Sequence, residues 1–286
     1  MRVGRIPYIN TYPVYGAIDR WLVPLDATLV DGVPTALNRR MAEGTLDVSV
    51  VSAVEYARDA ERYLLLPDLA ISCDGPVRSV LLFSSVPAER LSGQRVLVSR
   101  SSMTSVALLE LLFTHVWKAE PVFIPGDAEA DAIARDGGDP CVARLVIGDA
   151  ALMLQSPGHP LAEAHGRAYP HVYDLGAVWR EWTGLPFVFA VWVAQRTTPV
   201  EQALAVHASL IRSREWGVRH LDLLSTQAAG TTGVPVAECR RYFDGLDWRL
   251  GLRDLEGLTE FFRRLELAGK VPTGRLAFLP ATRRAG

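Results

Sequence analysis

Four hydroxyl side chains cluster where a strand-like segment gives way to a helix. The stretch 98–105 reads VSRSSMTS, so Ser101, Ser102, Thr104 and Ser105 fall within five positions. The N-terminus of a helix has unpaired N–H groups and the positive end of the helix dipole, and it therefore attracts a carboxylate or a phosphate. Ser and Thr also cap helices without any ligand. Four hydroxyls exceed the need of one cap, so this turn is a candidate anion site, with simple capping as the alternative.

Three further polar residues fall next to the ends of strand-like segments. Asn10 follows the first of these segments, Ser52 follows a buried apolar run, and Ser79 begins a third. In open α/β sheets, ligands bind beyond the carboxyl ends of the strands, near the point where the strand order reverses. Asn10 has the chemistry to orient a carboxylate or a hydroxyl. For Asn10 or Ser52 taken alone, capping of the following helix is the simpler interpretation.

Arg78 and Asp149 are the charged candidates. Arg78 lies in the turn GPVRS at 75–79, and an Arg side chain can bind a carboxylate through two parallel hydrogen bonds. An exposed salt bridge is the more common role of a single Arg. Asp149 follows a buried strand in GDAA at 148–151, where it has the chemistry of a base, a helix cap or a partner for Arg. Capping is the commonest of these roles.

The motifs of several common chemistries are absent from the sequence. No GxGxxG follows a strand, and the chain has no P-loop, no HExxH and no GxSxG elbow. His159, His165 and His171 are six residues apart in a region interrupted by Pro and Gly. This spacing matches no helix face and predicts no metal site.

The composition of the 286 residues excludes further classes of protein. Lys plus Arg total 30 and Asp plus Glu total 32, and this balance argues against a general nucleic-acid binder. No run of about 18 apolar residues predicts a membrane span, and no secretory signal precedes the first strand. Cys73, Cys141 and Cys239 are odd in number and far apart, which predicts buried, reduced thiols. We therefore expect a soluble, cytoplasmic protein.

Strands alternate with helices along most of the chain, which indicates an α/β fold with a parallel or mixed sheet. We predict strands at 1–9, 27–30, 46–51, 79–85, 95–99, 121–124, 143–147, 171–175 and 187–194. We predict helices at 14–19, 33–43, 103–117, 128–136, 200–214, 219–229, 235–242 and 255–267, and a capping box of Ser52 with Glu55. The segments at 64–67 and 181–184 read as extended chain or loop.

These elements fall into two groups, which predict two lobes. The first part of lobe 1 covers 1–85, lobe 2 covers 86–187, and a helical C-terminal tail at 188–286 returns to lobe 1. The strands at 79–85 and 187–194 are the expected crossovers. Trp248, Phe261 and Phe262 in the tail are compatible with a dimer contact, although burial in the core is the commoner fate of such side chains.

Several short motifs, taken in order, resemble a known family. They are GRIPYINTYPV at 4–14, DVSVVSAVEY at 47–56, GPVRSV at 75–80, SMTS at 102–105, IGDAAL at 147–152, DLG at 174–176 and WTGLPFVFA at 182–190. Each is weak alone, but their order and spacing are similar to those of the chorismate dehydratases of the futalosine route to menaquinone. The resemblance runs over residues 1–194.

The resemblance implies a two-lobed fold like a type II periplasmic binding protein, with the ligand in the cleft between the lobes. It implies the conversion of chorismate to 3-[(1-carboxyvinyl)oxy]benzoate and water, with no metal or redox cofactor. By the family's pattern, Asn10 and Ser79 are the catalytic candidates. The candidates for substrate binding are Ser102, Thr104 and Ser105, together with Ser52, Arg78 and Asp149.

That reaction needs a base for the ring C3 hydrogen, and no motif residue is an evident one. One hypothesis is that the substrate's own enolpyruvyl carboxylate takes the proton; the alternatives are Asp149 and Glu55. Three other functions stay open at this point. They are a non-catalytic cytoplasmic binding protein or sensor for a small carboxylate, the later enzyme of the same route that acts on a cyclised futalosine derivative, and a pyrimidine-precursor or thiamine-type synthase.

Overall fold

The computed structural model describes residues 1–128 and 141–280 and divides them into two compact units. The first unit comprises Met1–Ser72, Val188–Leu224 and the chain from Asp247 onward. The second comprises the described part of Cys73–Phe187 together with Ser225–Leu246. Except for its first residue, the helix predicted at 128–136 lies outside the described residues.

The described residues form ten strands, eleven α-helices, two 3₁₀ turns (Ile9–Thr11 and Ala88–Arg90) and a π-helical turn (Phe113–Trp117). The strands are β1 (Arg2–Arg5), β2 (Thr28–Asp31), β3 (Val48–Ser52), β4 (Tyr63–Cys73), β5 (Val80–Ser84), β6 (Arg95–Ser99), β7 (Val122–Gly126), β8 (Ala143–Ile147), β9 (His171–Asp174) and β10 (Phe187–Gln195). The helices are α1 (Tyr12–Asp19), α2 (Pro34–Ala42), α3 (Ala53–Arg58), α4 (Met103–Leu112), α5 (Gly148–Gln155), α6 (Pro160–Ala168), α7 (Leu175–Thr183), α8 (Val200–Arg219), α9 (Leu221–Thr232), α10 (Val236–Asp244) and α11 (Leu252–Leu267).

The sheet of the first unit has the strand order β2-β1-β3-β10-β4. β1 is parallel to both β2 and β3, and β10 is antiparallel to β3. Every residue of β3 and β10 is buried, as expected for central strands whose sequences are mostly apolar. The carboxyl ends of β1 and β3 meet at one edge of this sheet, so the segments that carry Asn10 and Ser52 both leave the sheet there.

The sheet of the second unit has the strand order β7-β6-β8-β5-β9. β6 is parallel to β7 and β8, whereas β5 is antiparallel to β8 and β9. Val80 pairs with Ile147, and Leu81 pairs with Asp174. One edge of this sheet therefore gathers the carboxyl ends of β6, β8 and β9 and the start of β5.

This strand pairing changes the boundaries that the sequence suggested. Because β5 pairs with β8 and β9, residues 73–85 belong to the second unit and not to the first. Residues 225–246 of the helical C-terminal region also belong to the second unit. After this first pass through the second unit, the chain returns to the first unit between Phe187 and Val188.

Two segments read as loop or extended chain are regular elements. The region around 64–67 lies within β4, a strand of 11 residues. Pro67 and Asp68, which has a left-handed φ of 55°, interrupt the alternation of side chains along this strand. Residues 181–183 belong to α7, which ends at Gly184 with φ 72°. That glycine is a helix C-cap, so it marks the end of a helix and not a loop of four residues.

The buried side chains match the expectations from composition. All three cysteines are free and buried, which confirms the predicted thiols. Trp248 is 3% exposed and Phe261 is 1% exposed, so both belong to the core of the first unit. No described helix combines the length and the apolar character needed to cross a membrane.

Helices α1 and α8 pack closely through a glycine. A Cβ atom at Gly217 would lie 2.1 Å from the carbonyl oxygen of Pro13 and 2.5 Å from its Cα. Both atoms are main chain, so the two helices would have to separate. We expect Gly217→Ala to lower the free energy of unfolding by about 1–3 kcal/mol.

The matched control is Gly230→Ala in α9, where a new Cβ would meet nothing within 4 Å. Because Ala favours a helix over Gly by about 1 kcal/mol, this variant is expected to melt at the wild-type temperature or above. Thermal unfolding of both variants measures the difference. Equal melting temperatures would contradict a close contact at Gly217.

His165 on α6 is a buried histidine with no hydrogen-bond partner among the described residues. It is 2% exposed, and its ring lies 4.4 Å from the ring of Phe83 and 4.7 Å from that of Tyr169, between centroids. Burial, with a smaller contribution from Arg144, lowers the pKa of His165 from 6.5 to about 4. The unfolded chain therefore binds a proton in a pH range where the folded chain does not, and stability is lost as the pH falls through that range.

We expect acid to destabilise the wild type more than a His165→Leu variant. Between about pH 7 and pH 5, the melting temperature of the wild type should fall further than that of the variant, because Leu binds no proton. Thermal unfolding at constant ionic strength compares the two slopes, so a constant loss of packing in the variant does not disturb the result. Parallel slopes would show that folding does not lower the pKa of His165.

Candidate functional site

One edge of the sheet in the second unit collects most of the predicted site residues. The antiparallel pairing of β5 with β8 sets the start of β5 beside the end of β8, and β6 ends at the same edge because it is parallel to β8. Each of these strand ends connects to a segment with candidate residues. They are Arg78 and Ser79 before β5, Asp149 in the first turn of α5, and Ser102, Thr104 and Ser105 at the start of α4.

Hydrogen bonds from two different elements fix Ser79. Its main-chain carbonyl oxygen accepts the N–H of Gly148 at 2.8 Å, which sets the first turn of α5 beside it. Its side-chain oxygen accepts the O–H of Tyr242, on α10, at 2.9 Å. Ser79 is 3% exposed and Tyr242 is 1% exposed. Burial raises the pKa of Tyr242 above its ordinary value, and the nearby charge of Asp149 acts in the same direction, so the phenol stays protonated.

Arg78 is held in an unfavourable backbone conformation. Its φ of 62° lies in the left-handed region that L side chains avoid. The Asp174 carboxylate accepts the N–H of Val77 at 3.0 Å and that of Arg78 at 2.6 Å, and it also caps α7 at Ala177. Gln155 donates from Nε2 to the carbonyl oxygen of Arg78.

These contacts anchor the main chain of Arg78 on both sides. Within the part of the chain that the structure describes, its guanidinium has no hydrogen-bond or ion-pair partner. Burial raises the pKa of Asp174, and the N–H donors around its carboxylate oppose that shift. Backbone strain that neighbouring groups enforce is typical of functional positions, so Arg78 stays a candidate site residue.

The hydroxyl-rich turn forms a helix cap. Ser102 accepts the N–H of Ser105 at 3.1 Å and donates to the hydroxyl of Ser105 at 2.8 Å. Thr104 is 2% exposed and Ser105 is 3% exposed. Ser99, the last residue of β6, accepts the N–H of Ser101 at 3.1 Å. The capping role that the sequence left open is therefore present, and an anion site at the same turn stays a prediction.

In the first unit, Asn10 lies in a 3₁₀ turn at Ile9–Thr11 directly after β1. Its main-chain carbonyl oxygen accepts the indole N–H of Trp248 at 2.6 Å, and the hydroxyl of Thr11 donates to the carbonyl of Ile6 at 2.9 Å. The turn is thus fixed through its main chain. The side-chain Oδ1 of Asn10 is buried and accepts no hydrogen bond from any described residue. Such an atom costs about 1–3 kcal/mol when it stays unpaired, so it is a natural acceptor for a ligand.

Ser52 is the N-cap of α3. Its hydroxyl accepts the N–H of Glu55 at 3.2 Å and the amide of Asn38 at 2.9 Å, and its own N–H donates to Asn38 at 3.1 Å. The Glu55 carboxylate accepts the O–H of Tyr63 at 2.9 Å, so the second half of the predicted capping box is absent. Burial raises the pKa of Glu55.

The three evenly spaced histidines have unrelated surroundings. His159 caps α6 by accepting the N–H of Leu161 at 3.3 Å, His165 is buried among aromatic rings, and His171 pairs with Ser84 in the sheet. Among the residues that the structure describes, no group of three His, Cys, Asp or Glu side chains is arranged to hold a metal ion.

The sequence does not identify Tyr242 and Trp248 as hydrogen-bond partners of the candidate residues. Both come from the C-terminal region, and each reaches a residue near a strand end in the N-terminal part of the chain. The amphipathic pattern of α10 identifies Tyr242 as a core residue, and nothing in the sequence marks its hydroxyl as the partner of Ser79.

Comparisons with known proteins agree with this architecture. A chorismate dehydratase from Thermus thermophilus is 31% identical over 270 residues, which cover 91% of this chain and 96% of that protein. A 1,4-dihydroxy-6-naphtoate synthase from the same organism is 26% identical, with 98% of this chain and 99% of that protein covered. A Candida albicans protein described as having the generic periplasmic binding protein fold superposes with a TM-score of 0.63 at 11% identity, covering 100% of this chain and 99% of that one.

The solved structure establishes a fold of the periplasmic-binding-protein type, with two α/β units. At this identity it carries no further information about function. The model of the family described as menaquinone biosynthesis matches residues 1–267, which is nearly the whole chain. The ordered motifs, the fold and this match agree, and the chain belongs to the menaquinone biosynthesis family.

Proposed function

We propose that this protein is a chorismate dehydratase, which removes water from chorismate to give 3-[(1-carboxyvinyl)oxy]benzoate. The observation that carries the proposal is the likeness, along nine-tenths of the chain, to a protein of that name. The polar residues at the edge of the second unit's sheet support it. They supply hydroxyl donors and Arg78, whose guanidinium has no partner among the described residues, and such groups suit a substrate with two carboxylates and a hydroxyl.

The elimination breaks the bond between ring C3 and its hydrogen and the bond between C4 and its hydroxyl, and the ring becomes aromatic. The C3 hydrogen is acidic because the negative charge can spread through the ring to the ring carboxylate. Donors on that carboxylate stabilise the charge as it develops, as they do in an oxyanion hole. We assign one carboxylate to Arg78 and the α4 turn. Asn10 holds either the leaving hydroxyl or the other carboxylate.

The proton acceptor has three candidates. The substrate's enolpyruvyl carboxylate is one, and a substrate analogue without that carboxylate should then lose its proton transfer. Asp149 lies in the first turn of α5 next to Ser79, which makes it the nearer protein candidate within the second unit. Glu55 is engaged by Tyr63. Unimpaired turnover by an Asp149→Asn enzyme would remove Asp149 from this set, and a loss with unchanged melting would favour it.

The test is to mix the purified protein with chorismate and to follow the ultraviolet absorbance, with mass spectrometry of the product. A spectral change and a product 18 mass units lighter than chorismate support the proposal, since one water is lost. A rise in melting temperature without turnover would instead indicate a binding protein or sensor for a small carboxylate, as the fold permits.

A second candidate is the reaction of the relative named 1,4-dihydroxy-6-naphtoate synthase, which matches over almost the full length. Turnover of a cyclised futalosine derivative, with none of chorismate, would replace the first proposal by this one. We also propose a cytoplasmic location, because three buried cysteines without disulfides suit a reducing compartment.

A further inference from the structure

Tyr242 is a buried tyrosine of the second unit, and its hydroxyl is hydrogen-bonded to a candidate site residue. It donates to the Ser79 hydroxyl oxygen at 2.9 Å, and both residues are almost fully buried. Phe243, the next residue on α10, is buried as well, and its apolar ring shows what the core of this unit requires for packing alone. A hydroxyl placed in such surroundings must be hydrogen-bonded to be tolerated, and Ser79 supplies that bond.

The direction of the bond decides what Ser79 can do. A hydroxyl has one hydrogen to donate and two lone pairs to accept with. The Tyr242 hydroxyl is the donor and occupies one lone pair of the Ser79 oxygen. The Ser79 hydrogen has no acceptor among the residues that the structure describes. The hydrogen bond from Tyr242 therefore fixes the serine oxygen and leaves its hydrogen directed elsewhere.

The rest of Ser79 is held just as firmly. Its main-chain carbonyl is bonded to Gly148, and the preceding residue, Arg78, is anchored at both its N–H and its carbonyl. With the main chain fixed, rotation about the Cα–Cβ bond is what can still move the Ser79 oxygen. The Tyr242 hydroxyl removes that freedom.

We propose that Tyr242 is a positioning residue that makes Ser79 a dedicated hydrogen-bond donor to an oxygen of the substrate. This inference rests on the proposed function and deepens it. In the elimination, the oxygen that gains charge is on the ring carboxylate, and a donor aimed at it binds more strongly as the charge grows. Removing the Tyr242 hydroxyl should therefore lower kcat more than it raises KM for chorismate.

The experiment is a double-mutant cycle with Tyr242→Phe, Ser79→Ala and the double variant, assayed with chorismate. We expect Tyr242→Phe to lower kcat about 10- to 30-fold and Ser79→Ala about 100-fold, because a missing donor costs more than a mobile one. In the Ser79→Ala background, Tyr242→Phe should cause no further loss, because its hydroxyl acts only through Ser79. A merely structural role of Tyr242 would make the two losses multiply.

Tyr169→Phe is the matched control in the same unit. Tyr169 is also buried, and among the described residues its hydroxyl contacts the main-chain carbonyl of Cys141 at 3.5 Å and no candidate site residue, so its removal should leave kcat unchanged. All variants are compared at a temperature at which their melting curves show them folded. Tyr242→Met, which also lacks a donor, takes the place of Tyr242→Phe in the cycle if the latter does not fold.

The outcomes separate the inference from the proposed function. An inactive wild type overturns the proposed function and this inference with it. An active wild type whose two losses multiply, or whose Tyr242→Phe variant keeps full kcat, overturns the inference alone. Losses that do not multiply, together with an unaffected Tyr169→Phe, support it.

Discussion

Replacing Asn10 by Ala is expected to remove most of the turnover of chorismate and to leave the protein folded. The side-chain Oδ1 of Asn10 accepts no hydrogen bond from the described residues, so its loss breaks no contact that holds the turn. The bond that does hold the turn joins the main-chain oxygen to Trp248, and Ala retains it. Loss of a group that contacts the reacting substrate lowers kcat by about 100- to 1000-fold. Steady-state kinetics and a melting curve measure the two effects.

Asn38 provides a contrast within the same unit. Its buried amide makes two hydrogen bonds with Ser52, so Asn38→Ala should lower the melting temperature more than Asn10→Ala does. Near-normal turnover by Asn10→Ala would contradict the assignment of this residue to the site. A loss of stability as large as that of Asn38→Ala would show instead that Asn10 serves the fold.

Replacing Arg78 by Gly is expected to weaken substrate binding without loss of stability. Hydrogen bonds to a charged group contribute about 1.5–3 kcal/mol, so KM for chorismate should rise about 10- to 100-fold when the guanidinium is removed. Gly adopts a φ of 62° without strain, and it keeps the main-chain bonds to Asp174 and Gln155. The melting temperature should therefore stay equal or rise while the affinity falls.

Arg78→Ala is the matched variant, because it removes the same side chain and keeps the backbone strain. It should show the same increase in KM as Arg78→Gly and a lower melting temperature. If both variants bind chorismate as the wild type does, Arg78 does not contact the substrate. If Arg78→Gly melts far below the wild type, the conformation of this turn is not strained.

The sequence allowed the fold class to be predicted because the relevant signals are local. The apolar run of β10 and the Ser102 cap each depend on a few neighbouring residues, and the structure has both. β4 was hidden because a proline and a left-handed residue interrupt its alternation. Helix α7 was missed because its C-terminal glycine resembles a loop signal.

The supports of the candidate residues could not be predicted, because they join distant parts of the chain. Tyr242 and Ser79 are 163 positions apart, and Trp248 and Asn10 are 238 apart. A single sequence contains no periodicity that pairs residues at such distances. Such contacts follow from the packing of whole elements, so the sequence names candidate residues but not the groups that hold them.

The hydrogen bonds of Trp248 with Asn10 and of Tyr242 with Ser79 affect how duplicated copies of this gene should be classified. The recognisable motifs all lie within residues 1–194, whereas both supporting aromatic residues come after residue 240. A duplicate that ended before that point would keep every motif and still lack both supports. We expect such a truncated copy to be a pseudoenzyme, so the presence of both aromatic residues should be checked before an activity is assigned to it.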